Sequence, residues 1–486
     1  MQDRLGVERW INEGGHIATE AVIQREMTAG NDALGEPAGQ QGQTARGAEA
    51  SSSTTPAAVP VARSPEDPAR SRVLIAGGGV AGLETLLALR ALAPGRLDIT
   101  ILAPELRFVN HSMAVDQPFK PKRSRGLRLE DTVAELGARW HRGALDRVEP
   151  EQHLVVTKEG DELPYDMLVL ALGAHTEREW SSEGVLTFHG GHDGPNYRML
   201  LHQLREGQVN KMAFVKPAGP SWPLPLYDLA LMTAAQCAAH DRTEVELSLI
   251  TPEEEPLGIF GHAASAAIRQ LLDERGVTLH TSSYGVPTRP EWLDISPGDR
   301  GMRVDRVVTV PRLVGPRPRG IPCGEHGFID TDAHGRVTGL DGVFAAGDMT
   351  AFPIKQGGLA AQQADAVAEA IAASVGAEVD PQPFRPILRG ILLTGGPERY
   401  LRADISGGAG DDSTISGDAL WWPPDKISGR YLAPYLSSQV GDAADVMPQG
   451  EHAISIETVL GDRAHGHRHQ CRRACCAPPP APGSAR

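Results

Sequence analysis

Residues 72–92 read RVLIAGGGVAGLETLLALRAL, and this stretch decides the fold. Val73 to Ala76 form a short apolar run, the pattern of a strand buried on both faces. Glycines follow at 77, 79 and 82 in the spacing G-x-G-x-x-G, and from Ala81 onward apolar residues recur at helical spacing. Each glycine answers a physical demand of a dinucleotide lying across a strand–helix turn. Gly77 makes the tight turn, Gly79 lets the backbone approach a pyrophosphate, and Gly82 lets the helix pack close on the strand. The helix N-terminus then offers unpaired N–H groups and a partial positive charge to the phosphates. The next apolar stretch, LDITILAPE at 97–105, is a β-branched second strand, so the unit is β-α-β. Its one departure lies at that strand's end. An acidic residue about 20 residues on ordinarily holds the ribose hydroxyls. Ala103 stands there instead, so Glu105 is the candidate replacement, with backbone alone as the alternative.

The unit recurs. ITILAPE (Ile99–Glu105) and LSLITPE (Leu247–Glu253) match in polarity at every position but the fifth, and each follows a strand, a turn and a helix. Two such units predict two related nucleotide-binding folds. In the second, FVKPAGPSWPLPLYDLALM (214–232) sets Pro217, Gly219 and Trp222 where the glycines stand in the first. Proline has no N–H to donate, and an indole occupies the room that phosphate oxygens need. The loop is also longer, which puts the expected helix start near Leu226. A dinucleotide pyrophosphate is not expected there.

Two further segments complete a pattern. YDMLVLALGA (165–174) is a strand ending in a small-residue turn. LDGVFAAGDMTAFPIKQGGLAAQQADAVAEAIA (340–372) is a strand, a Gly-Asp turn and a Gly-Gly start to an Ala-rich helix. With the first motif, these resemble the FAD-dependent pyridine nucleotide-disulfide oxidoreductase superfamily from about residue 72 to 380. The resemblance implies FAD as cofactor, with Gly77, Gly79, Gly82 and Glu105 at its diphosphate and ribose and Gly173 near the adenine-side turn. Gly347 and Asp348 would stand at the ribityl chain. Flavin reduction builds negative charge at N1 and the C2 carbonyl, so N–H groups from Gln356 and Gly357 to Gly358, backed by the Lys355 ammonium, are the expected donors. Lys355 is thereby the candidate catalytic residue; its plain alternative is a solvated surface lysine.

Within the superfamily, Ser221, Pro225 and the Tyr227-Asp228 pair are similar to the loop of the sulfide:quinone oxidoreductase and flavocytochrome c branch. That similarity implies no nicotinamide in the second domain and an acceptor of quinone type. The branch also uses cysteines beside the flavin, one of them in this loop, and here Trp222 holds the place. The chain has 5 cysteines, none before Cys237, so the redox pair of the glutathione and lipoamide reductases is absent. Cys237 reads as a core residue, and Cys323 in GIPCGEHGF as a candidate lone thiol. No metal site is expected: Cys471, Cys475 and Cys476 lie in a tail whose spacing matches no zinc module, and His189 and His192 in FHGGHDG read as a linker. TPEEEP (251–256) reads as a solvated loop.

The chain of 486 residues carries 47 basic and 62 acidic residues, a net charge of −15, which disfavours nucleic-acid partners. No apolar run reaches the ~18 residues of a span, and no signal-peptide pattern opens the sequence, so a cytoplasmic protein is expected. ALWWPPDKISGRYLAPYL (419–436) concentrates aromatics; packing on the flavin domain is the expectation, and a peripheral membrane contact the alternative.

The expected fold is α/β, with two Rossmann-like domains: a discontinuous FAD domain (71–180 and 300–380), a degenerate nucleotide-binding-like domain between (181–299), and a C-terminal segment packed on top (381–445). A leader (1–70) and a tail (446–486) are expected to be disordered. The expected function is an FAD-dependent oxidoreductase that passes two electrons through flavin N5 from a small donor to a quinone-like or other acceptor. An NAD(P)H-dependent flavin reductase and a non-catalytic flavin-binding module are the alternatives. Donor, acceptor and oligomeric state stay open.

Overall fold

The computed structural model describes residues 70–120, 126–190, 193–298, 300–405, 413–440 and 454–455. The leader, His192, and the tail with Cys471, Cys475 and Cys476 lie outside the described residues.

In chain order, the elements that position the site begin with β1 (Ser71–Ala76), α1 (Val80–Leu92), β2 (Leu97–Leu102), β3 (Arg139–His141) and β4 (Met167–Leu170). The second unit follows: β5 (Val185–Thr187), α2 (Gly194–Arg205), β6 (Lys211–Val215), α3 (Leu224–Ala239), β7 (Glu246–Ile250), α4 (His262–Glu274), β8 (Val277–His280) and β9 (Arg306–Thr309). The chain then returns to the first unit with β10 (Val343–Ala345) and α5 (Gly357–Ser374), and ends in β11 (Ile387–Leu392), β12 (Arg399–Asp404), β13 (Ser413–Ser416) and α6 (Leu432–Val440).

Two parallel sheets result, in the orders β10-β4-β1-β2-β3 and β5-β9-β6-β7-β8. The central strands correspond: β1 to β6, β2 to β7 and β3 to β8. The duplication legible in ITILAPE and LSLITPE is therefore a duplication of sheet topology. The apolar runs explain the central placement of β1 and β6. Val73, Leu74, Ile75 and Ala76 are all buried, as are Met212 to Val215, and only a strand flanked on both edges and both faces buries four consecutive side chains. Each fully buried Leu or Ile contributes about 1.5–3 kcal/mol.

Helices α1 and α5 share one core, in which Ala81, Ala88, Ala360, Ala364 and Ala368 bring the two axes close. Helix α3 starts at Leu224 rather than at the expected Leu226. Pro225 lies within its first turn, where a missing N–H costs no intrahelical bond, so the helix can begin before it.

The three-stranded antiparallel sheet β11-β12-β13 leaves one edge of β11 without a strand neighbour. Side-chain amides of α5 replace it. Gln362 accepts from Ile387 N–H and donates to its carbonyl, both at 2.9 Å, and Gln356 donates to Arg389 O at 3.0 Å.

The aromatic C-terminal stretch packs into the protein, as expected. Trp421 is fully buried, and Ile427, Tyr431 and Leu432 join the core of α1 and α5. No helix among the described residues is long and apolar enough to cross a membrane.

Candidate functional site

The turn after β1 is shaped by contacts that exclude a side chain at two glycines and leave room at the third. Gly77 has φ +124°, and a Cβ there would lie 2.1 Å from Ala171 O; at Gly82 a Cβ would lie 2.0 Å from Gly77 O. At Gly79 nothing comes within 4 Å. The first and third glycines thus serve chain packing, while the second faces open space, the arrangement a pyrophosphate needs. Helix α1 begins at this point with no side-chain cap and no acidic residue in its first turn. Its first intrahelical bond is Leu83 N–H to Gly79 O, so the N–H groups of Val80 and Ala81 stay uncommitted beside that space. Gly173, past the end of β4, has φ +71° and likewise no neighbour within 4 Å. An open second glycine beside an uncapped helix start fits a bound dinucleotide.

Ala103, at the end of β2, is wholly buried, while Glu105 is exposed on the following turn with no hydrogen-bond partner among the described residues. Gly347 lies on the turn after β10, packed against Ala81 and Ala360 and fixed by its N–H to Gln363 Oε1 at 2.7 Å. Asp348 follows. Burial pushes its carboxyl up, opposed by the Lys355 charge and by the Gln356 N–H that it accepts.

Lys355 is 4% exposed, so the solvated-lysine alternative is excluded. Its ammonium donates to Thr350 O and, at 2.6 Å, to Phe352 O, and it stands 3.9 Å from the centre of the Phe328 ring. Burial lowers its pKa to about 8 against the pull of Asp348. Gln356 caps α5 by accepting Leu359 N–H at 2.9 Å. With Gln356 N–H spent on Asp348, the free donors of this helix start are Gly357 and Gly358.

The second turn, between β6 and α3, is built differently. Trp222 packs on Phe260 with ring centres 6.1 Å apart. Pro225 has no N–H, and Leu226 N–H is taken by Pro223 O at 2.9 Å, so the first turn of α3 offers few donors. TPEEEP is not the solvated loop expected. Glu253 points inward, where its carboxylate accepts the Tyr227 and Thr251 hydroxyls, each at 2.7 Å. Burial pushes Glu253 up, and the Lys216 charge opposes this. The acidic group that would hold ribose hydroxyls in a dinucleotide-binding unit is thus occupied by the chain's own hydroxyls.

Two thiols are described. Cys237 is buried; Cys323 is half-buried, donates to Ile321 O, and is pushed up by burial, which disfavours its thiolate. His189 is committed to Asp193, by its N–H at 2.7 Å and its ring at 3.2 Å. No metal-binding group of His, Cys, Asp or Glu occurs among the described residues.

The sequence patterns did not single out Glu84. On α1, it accepts Tyr431 N–H at 2.7 Å and Leu432 N–H at 2.8 Å, capping α6 and tying the C-terminal segment to the first unit. It is also hydrogen-bonded to Asp365 on α5, and burial pushes both carboxyls up. A Glu on the apolar face of a helix is the signal that points to such a role.

Comparison with known proteins agrees with this architecture. The pyridine nucleotide-disulphide oxidoreductase family model matches residues 230–372. NADH dehydrogenase-like protein Rv1812c of Mycobacterium tuberculosis is 26% identical over 310 residues, covering 58% of this chain and 73% of that protein. The sulfide:quinone oxidoreductase of Aquifex aeolicus superposes with a TM-score of 0.64 at 19% identity, over 76% of this chain and 89% of that one. A ferredoxin reductase of Rhodopseudomonas palustris gives 0.54 at 17% identity, over 70% and 83%. With the paired parallel sheets and the open glycine turn, these likenesses give the chain the fold of the pyridine nucleotide-disulfide oxidoreductases, whose family model it matches over residues 230–372.

Proposed function

We propose that the chain binds FAD at the Gly77–Gly82 turn and oxidises a small donor other than a nicotinamide dinucleotide, passing the electron pair to a quinone-like acceptor. The contrast between the two turns carries this reading. The first has open space at Gly79 and free N–H groups at α1; the second has an indole packed on Phe260 and a Glu253 already engaged by Tyr227 and Thr251. The flavin supplies the two-electron chemistry at N5.

The chain's own residues would hold and polarise the cofactor. Val80 and Ala81 N–H groups would receive the diphosphate, and Gly357 and Gly358 N–H groups, at the start of α5, the pyrimidine edge of the ring. Lys355 adds a buried positive charge next to this helix start, held by two carbonyls, so its part is electrostatic and positional. With no thiol pair among the described residues, a cysteine-based route has no support.

A quinone-like acceptor is favoured by the fold likeness to a sulfide:quinone oxidoreductase. The second reading, NAD(P)H as donor, is favoured by the relative called NADH dehydrogenase-like. Anaerobic mixing of the flavin-loaded protein with NADH, NADPH or sulfide, followed at the flavin absorbance maximum, separates the two. Slow or absent bleaching by both nicotinamides is the expected result, and rapid saturable bleaching by either establishes the second reading.

A further inference from the structure

Strands β11 and β12 pair antiparallel in a register that sets Arg389 opposite Arg402. Residues directly opposite project from one face with Cβ atoms about 4.5–5.5 Å apart, so two guanidinium side chains rise together. Arg389 is 9% exposed. Its Nε is buried without a hydrogen-bond partner, and so is that of Arg402. Among the described residues no carboxylate pairs with either. Burial, and then the Arg402 charge, push Arg389 down to about 10.

This arrangement is costly as it stands. Like charges opposite each other destabilise a sheet, and arginine does not shed its proton to escape. Buried charges are ordinarily paired. Two parallel forks of N–H donors suit an oxyanion, planar or tetrahedral, better than any other partner.

The location connects the pair to the flavin-side helix. Arg389 O accepts from the Gln356 side chain, which caps α5. At the same helix start Gly358 faces Ser428, whose hydroxyl is buried and also without a partner.

We propose that Arg389 and Arg402 form a binding site for the oxyanion group of a small-molecule electron donor, a carboxylate or a phosphate. The role in turnover rests on the flavin reading; the binding itself does not. The site makes the donor an anionic small molecule, recognised through its charged group.

The test is calorimetric titration of the flavin-loaded full chain with inorganic phosphate or malonate, at fixed ionic strength against a chloride control. Saturable binding of at least one oxyanion is expected, weakened tenfold or more in both Arg389→Gln and Arg402→Gln. If circular dichroism shows Arg389→Gln misfolded, the less buried Arg402→Gln decides. No oxyanion binding beyond the chloride control, or undiminished binding by Arg402→Gln, overturns the proposal. Protein purified without flavin would instead overturn the proposed function while leaving oxyanion binding measurable; flavin-loaded protein that binds no oxyanion overturns this inference alone.

Discussion

Alanine substitutions at Gly79 and Gly82 are expected to fail in opposite ways, because one glycine serves a ligand and the other the chain. A Cβ at Gly82 would sit 2.0 Å from Gly77 O, where an unstrained contact needs about 3.5 Å. The obstacle is backbone, so α1 must move off β1 by more than 1 Å at the tightest point of the unit, roughly an overpacking cost of 3 kcal/mol. At about 2–4 °C per kcal/mol for a domain of this size, Gly82→Ala should lower Tm by about 6–12 °C. Gly79 has φ −83° and ψ −164°, extended backbone open to any residue, and nothing within 4 Å of a new Cβ. Gly79→Ala should therefore leave the apoprotein within about 0.5 kcal/mol of wild type. Its methyl group instead fills the space a pyrophosphate requires, and the same 1–3 kcal/mol of overpacking then weakens flavin binding about 10–100-fold. Scanning calorimetry of the apoproteins and the ratio of flavin to protein absorbance read the two effects separately. Wild-type flavin occupancy and affinity in Gly79→Ala, or equal destabilisation of the two apoproteins, would refute the assignment of the open glycine to the cofactor.

Other consequences follow from buried charge. Lys355 has a folded pKa near 8, below its ordinary value of 10.5, so the folded state binds fewer protons between these limits and the cost of burying its charge fades as pH rises through that window. If the charge favours reduced flavin, the reduction rate should fall as pH rises through about 8, and Lys355→Met should be slower and show no such step; a step of unchanged size in the variant removes Lys355 from the chemistry. Glu84 and Asp365 are hydrogen-bonded, and burial raises both carboxyls above their ordinary range. Folded-state pKa values above the unfolded ones stabilise at low pH, and this stability is lost as pH rises from about 4.5 through about 7. Asp365→Asn keeps a donor toward Glu84 without a titratable proton, so urea unfolding at pH 8 should show it about 1–2 kcal/mol more stable than wild type; a less stable variant would mean that Asp365 is ionised. Glu84→Gln should be destabilising by about 1–3 kcal/mol, since an amide presents N–H to one of the two backbone donors it must accept, and limited proteolysis should release the C-terminal segment first.

The fold was legible because its determinants are local. Four buried residues at Val73–Ala76, a glycine triplet and the repeated ITILAPE and LSLITPE strands are short patterns with one structural solution, and the paired sheets follow from them. The glycine turn was legible for the same reason, down to which glycine faces outward. What the sequence hid depends on contacts between distant segments. The inward turn of Glu253 needs Tyr227 from another element, and among three successive glutamates nothing local marks the one that turns inward. The surface-lysine alternative for Lys355 stayed open in the sequence because Phe328 and the carbonyls that hold it are set by the return of the chain to the first sheet. Glu84 becomes a helix cap only once the C-terminal segment folds back across α1, more than 340 residues later. Arg389 and Arg402 become a pair only through strand register.

The central claim is that one of two duplicated units receives a dinucleotide and the other is closed to one. Equilibrium binding to the purified full chain tests it most directly: flavin content per chain, together with calorimetric titration by NADH, NADPH and ADP-ribose. One FAD per chain and no saturable binding of the three nucleotides is the predicted result. A second dinucleotide bound with a Kd below about 1 mM, the upper end of functional substrate affinities, or a chain that takes up no flavin, would contradict it.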